Sequence, residues 1–256
     1  MRRILFLAIF ALGLTGASAE TIKITADVWP PYTMDPAGGS AGYLIDVAKA
    51  VFDAQGHSVV YSVKPYARAI NDTKSGVEDG VAGIYTNDAA ELKLHYPANE
   101  LGVSINTFFV RAEDSWSYEP TKGNANFSTL RIGVITDYSF KEIQDYLDAN
   151  KTTQKVQYIS GDQPLEANLR KLLAKRIDAT IDDKIVVNYL SKQLGLSDKI
   201  KAAGSLSDKN SIVIAFSAAN PNGALYARQL SEGVAKLRAN GSLKKILARY
   251  ALSDWK

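Results

Sequence analysis

There is no cysteine in the 256 residues, which excludes disulfide scaffolds, thiolate metal sites and cysteine nucleophiles together. Histidine is nearly as scarce, and His57 and His95 alone leave little material for an imidazole metal site or a histidine relay. No apolar run reaches the roughly 20 residues that a membrane-spanning helix needs. Neither sign of charge dominates. Against 27 acidic side chains stand 30 basic ones, a formal net charge of +3 that is too weak for a nucleic-acid surface. Tandem repeats and low-complexity tracts are also missing. What remains is 46% hydrophobic and 22% charged, the make-up of a soluble globular protein. The length suits one large domain or two compact lobes.

The start of the chain reads as an export address. Met1-Arg2-Arg3 is a short positive stretch, Ile4 to Leu12 is apolar, and Ala17-Ser18-Ala19 is the small-x-small pattern that signal peptidase recognises. Cleavage after Ala19 and release into a bacterial periplasm are expected. A lipid anchor would need a cysteine at the cleavage point, so the mature protein is expected to be free of the membrane. Taking Arg2 and Arg3 from the 30 basic side chains leaves 28 against 27 acidic ones, and a basic-patch function loses its support.

Beyond the leader, Ile22, Ile24, Ala26 and Val28 alternate with polar residues, which predicts a first strand ended by Trp29-Pro30-Pro31-Tyr32. Leu44, Val47, Ala48, Val51 and Phe52 stand at helical spacing. A strand is predicted over 58–63, a helix over 67–75 and a short buried strand over 80–84. A polar loop over 114–128 follows an extended stretch from Ser104 to Val110. The alternation then restarts, with strands over 130–135, 156–159 and 179–181 and helices over 139–149, 165–175 and 185–194. Strands alternating with helices predict βαβ units and a mainly parallel sheet, and two such series predict two α/β lobes. Ser211 to Phe216 is a second extended apolar segment. Lying beside Thr107-Phe108-Phe109-Val110, it would carry the chain back between the lobes, giving two hinge crossovers and a ligand cleft between them. The end, 224–252, reads as helix interrupted at Gly241, with Ser242 as an N-cap. Asp162 reads as another N-cap, before Gln163-Pro164.

Several of these segments are familiar in order and spacing: Asp27-Val28-Trp29-Pro30-Pro31-Tyr32, Gly42-Tyr43-Leu44-Ile45-Asp46, and Gly76 through Ile84. Further along come Arg131-Ile132-Gly133-Val134, Arg176-Ile177-Asp178-Ala179 and the ending Asn240-Gly241-Ser242-Leu243-Lys244-Lys245. The chain resembles the periplasmic solute-binding proteins of the polar amino acid type, bacterial extracellular solute-binding protein family 3, which serve ABC importers. The resemblance implies the two-lobed type II periplasmic-binding-protein fold. It also implies an arginine after the Ala-Gly-Ile strand that clamps the ligand's α-carboxylate. Here Ala90 stands in that register. The second lobe's usual Gly-Thr or Gly-Ser pair is replaced by Thr136-Asp137-Tyr138-Ser139-Phe140. Both halves of the carboxylate grip are altered, which points away from a standard free α-amino acid.

Candidate ligand residues come from position and resemblance. Trp29 and Tyr32 sit just past the carboxyl end of the first strand, where open α/β sheets bind ligands. They read either as walls of an aromatic slot or as core packing beneath the loop. Asp27 matches a cleft-facing position that suits a ligand ammonium, or else is a carboxylate of the turn. Tyr85 and Asn87 replace the family's small hydroxyl residues. Tyr138 and Ser139 open the next helix as donors. Asp183 stands where the family's aspartate grips the ligand amine, and keeping it without the arginine argues for a cationic or amine-bearing ligand. Arg68, in Pro65-Tyr66-Ala67-Arg68-Ala69, either takes over the lost clamp or pairs with Asp72 one helical turn on. Asp178 reads as structural, His57 as a cap or surface residue, and His95 has no partner at metal spacing.

The expected protein is therefore a non-catalytic, monomeric periplasmic receptor. Lobe 1 would be residues 20–108 with 215–256, and lobe 2 residues 109–214. Its partners would be one small-molecule ligand and an inner-membrane ABC permease, with no cofactor, metal or nucleic acid. Two other functions stay open, because a fold does not fix a function. One is a dehydratase-like enzyme in the same cleft, using Asp27, Asp183 and Asp137. The other is a sensing module for a membrane signalling partner.

Overall fold

The structure is a computed structural model that describes residues 19–136, 138–161 and 163–256. The expected leader up to Ser18, the expected N-cap Asp162, and Asp137 lie outside the described residues. Strand β1 (Thr21–Ala26) buries Ile22, Ile24 and Ala26, but Val28 falls beyond its end and is 50% exposed, so the alternation stops earlier than predicted. Helix α1 (Tyr43–Asp53) buries all five residues of its predicted apolar stripe. Gly42, just before it, has φ +92°, and a Cβ there would meet the Tyr32 carbonyl oxygen at 2.5 Å. Only glycine lets the helix start this close to the aromatic turn.

The first series continues with β2 (Ser58–Val63), α2 (Tyr66–Lys74) and β3 (Gly80–Tyr85). A short helix, α3 (Thr86–Glu91), follows β3 directly and was not foreseen in the sequence, because six polar and small residues carry no period. Then comes β4 (Gly102–Arg111). The second series is β5 (Ile132–Ile135), α4 (Gln144–Ala149), β6 (Val156–Ile159), α5 (Pro164–Leu173), β7 (Ala179–Asp183) and α6 (Lys184–Gln193). The helix predicted from Ser139 begins five residues later, after one tight turn at Lys141–Ile143. Gln144 is the reason: its Oε1 accepts the Phe140 N–H at 3.0 Å and faces the Ser139 hydroxyl at 3.3 Å, holding 138–140 out of the helix. The chain ends with β8 (Ile200–Phe216), α7 (Gly223–Ala239) and α8 (Ser242–Ala248). The N-cap of α8 is Gly241 at φ +77°, and Ser242 lies inside the helix, so the predicted cap moves by one residue.

All eight strands form one sheet in the order β2-β1-β3-β8-β4-β7-β5-β6. Two parallel trios, β2-β1-β3 and β7-β5-β6, flank an antiparallel central pair, β8 and β4. At about 3.3 Å per residue, the 17 residues of β8 span both halves. This is a mixed α/β, two-lobed fold in which two long strands carry the chain across. The predicted side-by-side pairing needs correcting in register. Thr107 pairs with Ser205 and Val110 with Lys201, whereas Ile212 to Phe216 pair mainly with β3.

One large apolar cluster runs from α1 and α7 through the centre to Leu169, Leu172 and Val187 of the second half. A second gathers Phe108, Phe127, Val134 and Leu147, and a third sits under α2 and α3 around Val81 and Val213. His57 belongs to the interior rather than the surface. It is 6% exposed, accepts the Glu20 N–H at 3.3 Å and stands edge-on to Phe52 and Tyr226. Among the described residues no helix is long and apolar enough to cross a membrane.

Candidate functional site

The carboxyl ends of β1, β3 and β7 meet at the middle of the sheet, and each contributes an acid or an aromatic. After β1 the chain makes a tight turn, closed by Trp29 N–H to Thr33 O at 2.9 Å and Thr33 N–H to Trp29 O at 3.1 Å. The turn stacks Trp29 on Tyr32 with ring centroids 4.3 Å apart, and Trp29 meets Tyr85 edge-on at 6.1 Å. Strand β3 bulges at Gly83, whose φ of +78° coincides with a slip in its register with β8. Such a bulge bends the strand and re-aims the side chains beyond it. Here it brings the Gly83 backbone against Trp29.

Between these edges lies a cavity of about 320 Å³. From the first half it is lined by Asp27, Trp29, Tyr66, Gly83, Tyr85 and Asp88. The second half supplies Tyr138, Ser139, Phe140, Asp182 and Asp183, and the long central strands add Asn106 and Asn210. A larger cavity of about 750 Å³ lies on the opposite face of those strands, against Val103, Ile105 and Lys209. Side chains alternate across a strand, so the two cavities share β4 and β8 but not their residues. The larger one is walled by α6 and the C-terminal segment, away from the convergent strand ends where open α/β sheets hold ligands.

The electrostatics of the smaller cavity are one-sided. Among the described residues four carboxyls line it, and no lysine, arginine or histidine does. None of the four takes part in an ion pair among the described residues. Burial pushes Asp182 up to about 7, with the charge of Asp183 adding to the rise and the Asp183 N–H opposing it. That N–H reaches Asp182 Oδ1 at 2.7 Å. Burial also raises Asp183, against hydrogen bonds from Ser104, the Val186 and Ile185 amides and Tyr32. Asp27 is raised by burial, and Asp88 by partial desolvation and then Glu91. Burial thus holds all four acids above their ordinary range, and none has a counter-ion among the described residues. Among the described residues no cluster of histidine and acid side chains could hold a metal ion.

The pattern of bacterial extracellular solute-binding proteins, family 3, matches residues 22–253 of the chain. The chain belongs to that family. Solved structures agree on the fold. The L-cystine solute receptor of Neisseria gonorrhoeae, in its unliganded open conformation, is similar with a TM-score of 0.68 at 18% identity, covering 92% of this chain and 94% of that one. A polar amino acid ABC uptake transporter substrate-binding protein from Streptococcus thermophilus gives 0.66 at 20% identity, over 90% and 85%. A histidine kinase sensor domain with similarity to periplasmic binding proteins gives 0.62 at 20%, over 90% and 95%. No curated protein matches the sequence.

Within this solute-binding fold, six of the nine residues singled out in the sequence converge on the cavity: Asp27, Trp29, Tyr85, Tyr138, Ser139 and Asp183. Tyr32 does not line it. It is fully buried beneath Trp29, and its hydroxyl reaches Asp183 Oδ2 at 3.3 Å, a bond between the two halves. Arg68 points to solvent, 72% exposed, with Nε 3.5 Å from Asp72 Oδ2. Asn87 is exposed on α3, because the helix that starts at Thr86 turns it away and turns Asp88 in. Ala90, in the arginine's register, is also exposed on α3 and outside the cavity.

Asp183 has a structural task besides facing the cavity. It is the N-cap of α6, with Oδ1 accepting the Ile185 and Val186 amides at 2.8 and 3.0 Å. Asp178 is bound to Arg131 at 2.8 Å, as its structural reading required. Tyr66, Asp88, Asn106, Phe140, Asp182 and Asn210 were not anticipated. One carried a signal: Tyr66 is the aromatic of the Pro65-Tyr66-Ala67-Arg68-Ala69 segment.

Proposed function

We propose that this family member is an exported receptor that binds a small amine-bearing cation and hands it to an inner-membrane ABC permease. The observation that carries the reading is the cavity itself, which among the described residues has four carboxyls without an ion-pair partner, aromatic walls and no basic side chain. In this reading the carboxyls of the cavity face the ligand's positive charge, and Trp29 and Tyr85 pack on its stem or cation. Tyr138 and Ser139 hydrogen-bond its polar groups. Tyr32 holds Trp29 and Asp183 in place and does not touch the ligand, and Arg68 has no part in binding.

The leader-like start supports export to the periplasm after cleavage at Ala19. The hinge is proposed to lie in β4 and β8, between the residues that pair with β3 and those that pair with β7. Closure about that hinge would complete the site from both halves and give the permease a distinct shape to recognise. Binding without turnover is the proposed activity.

Calorimetric titration of the purified protein at pH 8 tests the reading, with small amines set against glutamate and other acidic solutes. At least one amine is expected to saturate a single site and to raise the melting temperature. Tighter binding of an acidic solute than of any amine would overturn it. Mass spectrometry of small molecules that co-purify with the protein is an independent check.

A further inference from the structure

The four carboxyls do not form one cluster. Asp27 follows β1 and Asp88 sits on α3, both in the first half, with Tyr66 in the field of the two of them. Asp182 and Asp183 end β7 in the second half. The acids thus reach the cavity as two pairs, or poles, one from each half, and Trp29 and Tyr85 line the same space. Asp182 is the telling member. It is 3% exposed, its Oδ1 accepts only the Asp183 N–H, and its second oxygen has no partner among the described residues although the side chain lines the cavity. That oxygen is not sealed in the interior but open to the cavity, where a ligand donor can reach it.

A ligand carboxylate would meet only neutral donors here, such as Tyr138, Ser139, Asn106 and Asn210. Among the described residues no lysine, arginine or histidine lines the cavity, and the amides that open α6 are already taken by Asp183. A zwitterion would bring its negative end among four acids. A single cation would leave one pole unanswered. We propose that the cleft is built for an elongated dication without a carboxylate, an α,ω-diamine or a guanidino-amine, with one charge at each acidic pole and its methylene stem on the aromatic wall. This rests on the cation reading above and narrows it to a charge count and a shape.

Three probes that differ by one group each test the proposal: 1,5-diaminopentane, pentylamine, which lacks the second charge, and lysine, which adds the carboxylate. Calorimetric titration of the wild-type protein at pH 8 and low ionic strength is expected to rank the diamine roughly tenfold or more above both others, 1.4 kcal/mol in binding. Lysine equal to or tighter than the diamine would overturn the exclusion of a carboxylate. Pentylamine equal to the diamine would overturn the two poles. In either case the cation reading itself survives. Failure of all three, together with 1,4-diaminobutane and agmatine, would overturn both. Asp88→Asn, at an exposed site where folding is not at risk, is expected to bring the diamine's affinity down towards that of pentylamine. An unchanged diamine affinity in that variant would remove Asp88 from the proposal.

Discussion

Replacing Asp182 by asparagine removes a buried negative charge while keeping the shape of the side chain. The amide oxygen can still accept the Asp183 N–H that Asp182 Oδ1 accepts at 2.7 Å. In the folded chain the Asp182 carboxyl is pushed up to about 7 from an ordinary 3.8. A raised acid binds its proton more tightly in the folded state than in the unfolded one. Its contribution to stability is therefore full below pH 4 and is lost as pH rises through 7. Over the two units between pH 5 and 7 that loss is roughly 3 kcal/mol, at 1.36 kcal/mol per unit. Asparagine has no such titration. The ligand-free variant is expected to gain on the wild type by that amount as pH is raised from 5 to 8.5. For a protein of this size roughly 3 kcal/mol corresponds to about 6–12 °C in melting temperature. The assay is a pair of melting curves across that range on protein freed of ligand by partial unfolding and dialysis. Asp27 and Asp88 titrate in both proteins, so the difference between the curves reports Asp182 together with its coupling to Asp183. Parallel curves would refute the argument, as would a variant less stable at every pH, which would make Asp182 a structural acceptor and no more. The same variant should bind the amine ligand more weakly, so stability and binding move in opposite directions.

Other consequences can be checked with the same preparations. Affinity for a cationic ligand should rise between pH 6 and 8, because Asp182 ionises there, and a flat titration series would show that it does not contribute. Asp183→Ala should cost about 1–2 kcal/mol of ligand-free stability, as loss of an N-cap usually does, measured by denaturant unfolding. An unchanged stability would contradict the capping geometry. Arg68→Ala should leave binding unaltered and change stability by less than about 0.5 kcal/mol, as befits an exposed ion pair with Asp72. A large loss of affinity would restore Arg68 to the site. Trp29→Ala should abolish the ligand-dependent change in tryptophan fluorescence, since the other two tryptophans, Trp116 and Trp255, lie outside the cavity.

The fold was legible because long periodic segments survive any local surprise. The stripe of α1 and the apolar cores of β1, β3 and β7 read directly from spacing. The site was legible where ligand-facing residues come directly after a strand end or close it, as Asp27, Trp29 and Asp183 do. It was obscure where a short element changed direction. Helix α3 has too few residues to show a period, and its 100° per residue decides that Asp88 rather than Asn87 or Ala90 faces inward. The delayed start of α4 similarly depends on one side chain, Gln144, reaching back to Phe140. Asp182 was missed because strict alternation would turn it away from a cavity that its neighbour faces. At the end of β7 the chain leaves the strand for α6, and both residues reach the same space.

A basic side chain in a cleft answers a ligand carboxylate, and without ligand it also balances nearby acids. Among the described residues no basic side chain of the cleft balances Asp27, Asp88, Asp182 and Asp183. The ligand-free protein then holds charges it would be more stable without, and protons relieve them only as pH falls. A bound cation relieves them at any pH. The rise in melting temperature that a saturating amine produces should therefore be larger at pH 8 than at pH 6. It exceeds what mass action gives for an affinity that does not change with pH. An increment that is equal at both pH values would mean that the acids are already compensated in the empty cleft, and the charge argument for the ligand would fail with it.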